Sequence, residues 1–280
     1  MLEVVVARDV ADLGRPDYTL EDVESEWSEP GFALDEDAWV AEQNGRLVAY
    51  ACVRWIEQLV LVAPAATGAG TGSRLLELVE GRARERGLAL RQHLPERNAQ
   101  AAALLSAHGY TRRHGYLRLG VELDPPPPQP RWPAGTSLRR YAGSQDDRPL
   151  HALFTEAFSE VLGSEPQPFE SWRAQVVEHA AFDPDLLLVA ELDGAPVGAA
   201  ACERWDEQGA VRSLATVGRG RGIGLGRALL LEAFAEFRRR GLPEVVLGVQ
   251  SDNVPALGLY ESVGMRTLWR VDRWQRDQPG

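Results

Sequence analysis

Apolar positions in the C-terminal half of the chain follow two periods. Leu229, Leu230, Ala233, Phe234 and Phe237 recur at the spacing of one helical face, in a run that opens at Leu225. Arg238, Arg239, Arg240 and Gly241 close it, since basic residues in a last turn followed by glycine are a helix stop. Short apolar runs over residues 137–141, 185–191, 196–202, 210–217 and 245–249 read as strands, with a final strand region over 266–274. Further helices are expected from Asp147, across 169–179, and from Asn253. The N-terminal half repeats this order through residues 118–123. Residues 1–9 read as its first strand: an acidic residue comes at once and the apolar run is short, which does not suit a secretory signal. Alternating β and α elements predict an α/β fold with mixed sheets.

The repetition extends to individual residues. Cys52-Val53-Arg54-Trp55-Ile56-Glu57-Gln58 matches Cys202-Glu203-Arg204-Trp205-Asp206-Glu207-Gln208 at an offset of 150. Gly70 and Gly72 match Gly224 and Gly226 at 154, and Asn98 and Gly109 match Asn253 and Gly264 at 155. Offsets this long indicate duplicated domains rather than a solenoid. Between the copies, residues 124–133 read Asp-Pro-Pro-Pro-Pro-Gln-Pro-Arg-Trp-Pro. Consecutive prolines join neither a helix nor a central strand and favour a stiff extended segment. The expected organisation is a first domain over 1–124, a proline-rich linker over 125–135 and a second domain over 136–280. A length of 280 residues suits two domains.

Composition adds four constraints. With 44% hydrophobic and 25% charged residues the chain can bury a real core. No run approaches about 18 consecutive apolar residues, so no membrane span is expected. Cys52 and Cys202 lie far apart with no metal-ligand spacing, as in a cytoplasmic protein with free thiols. The formal net charge of -11 argues against a nucleic-acid partner and favours a small cationic one. A monomer or homodimer is expected.

Chemistry concentrates in two segments. Arg221-Gly222-Ile223-Gly224-Leu225-Gly226-Arg227 joins a strand to the long helix. Glycines there let the backbone approach a ligand, and the helix N-terminus favours a diphosphate. One helix and one strand later comes Asn253-Val254-Pro255-Ala256-Leu257-Gly258-Leu259-Tyr260-Glu261-Ser262-Val263-Gly264-Met265. A dinucleotide-binding unit would close its second strand on an acidic residue, whereas this strand ends in Gln250.

Together the two segments resemble the acetyl-CoA site of the GNAT superfamily of N-acetyltransferases. The resemblance implies two tandem GNAT domains, each a mixed, splayed central sheet flanked by helices, with acetyl-CoA as co-substrate. It assigns the diphosphate to Arg221, Gly222, Ile223, Gly224, Leu225, Gly226 and Arg227. The backbone of Leu214, Ala215 and Thr216, on a strand splayed from its neighbour, then binds pantetheine. Asn253 lies near that arm and is also a favoured N-cap by residue type. Tyr260 takes the position of the family's general acid. Some members carry a basic Glu five residues before the Asn, where this chain has Gly248. Glu203, Asp206 and Glu207 are left as candidate bases, although each is more often a solvated turn charge. A water relay, or an amine that arrives neutral, needs no dedicated base.

The first copy departs from this pattern. Its loop, Thr67-Gly68-Ala69-Gly70-Thr71-Gly72-Ser73, has Thr67 in place of Arg221, and Leu105 stands where Tyr260 stands. A leucine donates no proton, so this half should not catalyse. Tandem halves with the active one second resemble GNAT proteins of the mycothiol-synthase type, as do residues 141–147 and 182–185. The implied activity is acetyl transfer to a primary amine of a small molecule. That amine belongs either to a cationic metabolite or antibiotic, or to the cysteinyl group of a mycothiol precursor. A non-catalytic acyl-CoA-binding regulatory protein stays open as the rival. Glu156, Glu160 and Glu165, with the three candidate bases, would give a negative mouth that gathers a cation.

Overall fold

A computed structural model describes residues 1–18, 20–27, 31–54, 58–159, 167–179, 182–205 and 207–277. In chain order the elements are α1 (Leu2–Leu13), α2 (Leu20–Trp27), α3 (Leu34–Asp37), β1 (Ala38–Gln43), β2 (Arg46–Val53), β3 (Gln58–Val62), α4 (Thr71–Glu85), β4 (Leu90–Pro95), α5 (Ala99–Ala107), β5 (Thr111–Arg112) and β6 (Tyr116–Glu122). There follow β7 (Thr136–Arg140), α6 (Asp147–Phe158), α7 (Phe169–Val176), β8 (Leu187–Leu192), β9 (Ala195–Trp205), β10 (Gln208–Thr216), α8 (Leu225–Arg239), β11 (Glu244–Gln250), α9 (Val254–Ser262) and β12 (Arg266–Arg276). The chain forms two compact units. The first holds Met1–Leu117, residues 250–252 and the stretch from Leu268 on; the second holds Arg118–Val249 and Asn253–Thr267.

Each unit carries a mixed, open sheet flanked by helices. In the first the strand order is β1-β2-β3-β4-β12, with β5 beside β12. In the second it is β6-β11-β10-β9-β8-β7. Within both, antiparallel neighbours meet one parallel pair, β3 with β4 and β10 with β11. The helix pattern read from Leu229 to Phe237 is borne out: those five residues are all buried, Phe234 and Phe237 completely. On the opposite face of the second sheet, Leu150, Leu153 and Phe154 of α6 and Trp172 of α7 close over Val189, Ala199 and Ala215.

The opening segment is a correction. Residues 1–9 were expected as a strand, yet Leu2–Leu13 is helical. Val4, Val5 and Asp12 fall on one buried face, and Gly14 ends the helix at φ 87°, its N–H bonded to the Val10 carbonyl at 3.1 Å. Packing of that face overrides the strand preference of three consecutive valines. Among the described residues no helix is long and apolar enough to cross a membrane. Neither cysteine is in a disulfide, and both are buried.

Candidate active site

The strand pair that leads to the glycine loop comes apart. β10 pairs with β11 only over Gln208–Ala210 against Glu244–Val246, whereas its pairing with β9 continues to Thr216. Alongside Leu214, Ala215 and Thr216 the β11-facing edge therefore has no strand partner, although the Thr216 carbonyl accepts from Arg221 Nε. The side chains of Leu214 and Thr216 face α8, where their methyl carbons lie 3.9 and 3.8 Å from the point a Gly226 Cβ would occupy. That of Ala215 is buried under α6. What these residues offer a ligand is backbone.

The loop shows why glycines stand where they do. Gly222 and Gly224 adopt φ of 72° and 89°, and open space lies where a Cβ would project. Gly226 has a different reason: a Cβ there would meet Leu259 Cδ2 at 3.2 Å, so its absence lets α8 approach α9. Leu225 is buried at 1% exposure and contributes only its N–H outward. The first α8 bond runs from Ala228 N–H to the Gly224 carbonyl at 3.1 Å. The N–H groups of Leu225, Gly226 and Arg227 thus have no helical acceptor and make an anion site with the dipole. Arg221 Nε donates to the Thr216 carbonyl at 3.0 Å, and Ile223 is exposed. An open loop, free helical N–H groups and a splayed strand edge fit a coenzyme A diphosphate and its arm.

Asn253 caps α9, its Oδ1 accepting from Ala256 N–H at 3.2 Å. Among the described residues nothing accepts from its side-chain N–H2, which stays available to a ligand carbonyl. Tyr260 lies two turns on, 9% exposed, and burial pushes its phenol up to about 12. Among the described residues no partner holds its hydroxyl.

Beside the splay, on the α6–α7 face, opens a cavity of about 500 Å3. Arg212 and Ser213 line it, the second and third residues beyond Ala210, where β10 and β11 part. Arg212 is the extra residue of a bulge: Val211 pairs with Cys202 and Ser213 with Ala201. Such a bulge re-aims a side chain, and Arg212 Nη1 reaches Glu203 Oε1 at 3.1 Å. Glu203 is 7% exposed and sits across from Ala210. Its carboxylate also accepts from Trp205 Nε1 at 3.0 Å and faces His179 Nε2 at 3.0 Å. Phe154, Phe158 and Trp172 form an aromatic wall, and His151 Nε2 donates to the Gln167 carbonyl at 2.7 Å. Cys202 lines the cavity too, but burial pushes its thiol up to about 12, so it is no nucleophile near neutral pH.

The structure sorts the acidic candidates. Glu203 enters the cavity, while Glu207 is exposed in the turn before β10 and is not part of the lining. Glu156 is exposed on α6 and also outside the lining. Glu160, Glu165 and Asp206 lie outside the described residues. Gly248 has open space at its Cβ position. His179 and Arg212 were missed by sequence reasoning, because a one-residue bulge and a contact across 24 residues leave no local pattern.

The first unit keeps the loop but differs at the positions of Asn253 and Tyr260. Gly68 and Gly70 adopt φ of 86° and 82°, and Gly72 meets Leu104 as Gly226 meets Leu259. Asn98 caps α5 through Ala101 N–H at 3.0 Å, but its side-chain N–H2 is taken by Asp12 of α1 at 2.9 Å. Leu105 is packed in the core at 5% exposure.

Residues 7–110 and 148–265 match the acetyltransferase (GNAT) family. The mycothiol acetyltransferase of Acidothermus cellulolyticus is 30% identical over 258 residues, covering 84% of this chain and 77% of its own. That of Thermobispora bispora is 34% identical over 222 residues, 76% and 73% of the two chains. Of solved structures, a GCN5-related N-acetyltransferase from Sphaerobacter thermophilus aligns over 100% of this chain and 92% of its own, with TM-score 0.86 and 28% identity. A tandem GNAT protein from the clavulanic acid biosynthesis pathway aligns over 99% and 96%, with TM-score 0.72 and 19% identity, a likeness of fold.

Proposed function

We propose that this chain, which belongs to the acetyltransferase (GNAT) family, acetylates the primary amine of a small molecule held in the cavity of its second unit. The carrying observation is that the cavity opens where β10 and β11 part. An arm running between the two strands from the glycine loop ends there.

Acetyl-CoA supplies an acetyl group activated as a thioester. The loop from Arg221 to Arg227 binds its diphosphate, and the edge of β10 over Leu214, Ala215 and Thr216, which has no strand partner there, orients its arm, with Asn253 beside it. Tyr260 Oη gives up a proton to the departing sulfur. Glu203 is poorly placed to act as a base itself, because Arg212, Trp205 and His179 occupy its oxygens. We assign it to hold His179, whose Nε2–H donates to the carboxylate. Nδ1 is then the acceptor for the proton that the amine must lose. The aromatic wall excludes water that would compete for the acetyl group.

His179→Gln is expected to cut turnover by about 10- to 100-fold near neutral pH, with acetyl-CoA affinity unchanged. The deficit should shrink as pH rises, because more of the amine then arrives neutral. A loss of the same factor at every pH would show that the histidine only shapes the cavity.

For the acceptor, the names of the relatives favour the cysteinyl amine of a mycothiol precursor. Glu203, the carboxylate of the described lining, is already matched by Arg212, which does not favour a polycation. A cationic metabolite or antibiotic is the second reading, favoured by the net charge of -11. An acetyl-CoA thiol-release assay against a panel of amines, with mass spectrometry of products, decides between them. A polycationic acceptor recruited by surface acids should show a KM that rises with salt. Thiol release with no member of the panel would leave a non-catalytic acyl-CoA-binding protein.

A further inference from the structure

The proline-rich segment lies against the glycine loop of the second unit. Pro128, Gln129 and Arg131 form one side of a cleft of about 670 Å3, and Ile223, Gly224 and Arg227 help to form the other. Two arginines face this cleft with no acid to match them. Among the described residues no carboxylate pairs with Arg131 or Arg227; Arg227 Nη2 donates to the Ser262 carbonyl at 3.2 Å. Their neighbours in the same unit behave otherwise. Arg219 pairs with Asp193, and Arg239 and Arg240 pair with Glu236. In a chain with 41 acidic and 30 basic residues, the cleft is a local surplus of positive charge. It also has an apolar part, since Ile223 is 45% exposed and faces the same space as Pro128.

Coenzyme A carries more than a diphosphate. Its adenosine bears a 3′-phosphate and a flat, apolar-faced base, both beyond the diphosphate and away from the thiol. A guanidinium presents a planar fork that matches phosphate oxygens. We propose that the proline-rich segment is a second wall of the co-substrate site, in which Arg131 and Arg227 take the 3′-phosphate while Ile223 and Pro128 pack against the adenine. This rests on the binding of acetyl-CoA at the loop and adds to it a residue from the segment between the two copies of the repeat. The stiffness of a proline run serves such a wall, because little chain entropy is lost when it is held beside a ligand.

Calorimetry on the full chain with coenzyme A and with 3′-dephospho-coenzyme A tests the proposal. The unaltered protein should bind coenzyme A about tenfold or more tightly than the dephospho form at low salt. Arg131→Ala should close most of that gap by weakening coenzyme A alone. Arg227→Ala should do the same, and Arg131→Lys should restore part of the preference. Arg131 is exposed, so its loss should not disturb folding. Equal affinity of the unaltered protein for the two ligands would overturn the proposal. So would a weakening of both ligands by the same factor in Arg131→Ala, which would mean that the segment merely props the loop. Binding of neither ligand would instead remove the co-substrate site at the loop, and this wall with it.

Discussion

Replacing Tyr260 by phenylalanine is expected to lower turnover by about 10²-fold or more while leaving acetyl-CoA affinity unchanged. The ring is 9% exposed and stays packed in the variant, so only the hydroxyl is lost. Among the described residues that hydroxyl has no partner, and its removal orphans nothing. A fall in rate would then report chemistry rather than stability, which thermal melting of both proteins would verify. Burial pushes the phenol up to about 12, above a free thiol near 8.5. Burial raises a neighbouring thiolate in the same direction, so the gap between donor and acceptor is narrower in the site than the phenol's value alone implies. The phenol stays protonated through neutral pH, the state a donor needs, and would lose that proton only as pH climbs toward about 12. The equivalent position in the first unit is Leu105. Thr67→Ala, in that unit's loop, is expected to leave turnover unchanged. If Thr67→Ala abolished the chemical step while Tyr260→Phe spared it, the roles of the halves would be reversed.

The parts of this protein that were legible in its sequence are those written locally. A helix with a single apolar face, a glycine loop ahead of it and an Asn that caps the next helix each declare themselves within about a dozen residues. The long helix and the N-cap of Asn253 appear as read. What was not legible depends on contacts between distant segments. Three valines near the start favour a strand, and only the buried face of α1 makes them helical. The stretch from Leu268 on belongs to the first unit, which no repeat offset reveals. The cavity was nearly visible as an irregularity. The repeat offset moves from 150 to 154 between the Cys motif and the glycine loop. The difference falls in β10, nine residues long where β3 has five. Those extra residues include the bulge that turns Arg212 toward Glu203. The second copy thus differs from the first within the strand that lines the proposed site.

Gly224→Val is the change that should remove activity at its root. The residue adopts φ 89° as the N-cap of α8, a conformation a β-branched side chain enters only with strain. Relief of that strain would pull the loop toward negative φ and swing the carbonyl that accepts from Ala228, along with the N–H groups of the first turn. A Cβ at Gly224 meets no protein atom within 4 Å, so the core itself does not oppose the substitution. It would instead project into the space where the diphosphate must lie. Both effects act on the anion site and neither acts on the cavity beyond the splay. Acetyl-CoA affinity by calorimetry should therefore fall by about 100-fold or more, the equivalent of losing two charge-assisted hydrogen bonds. Melting temperature should drop only modestly, because the buried faces of α8 and β10 are untouched. The matching change in the first unit, Gly70→Val, carries the same backbone strain at φ 82° and serves as the control. If both variants lost acetyl-CoA equally, general loosening of the fold would be the cause. If Gly224→Val bound acetyl-CoA as the unaltered protein does, the diphosphate would have to lie elsewhere, and the path from loop through splayed strands to cavity would fall with it.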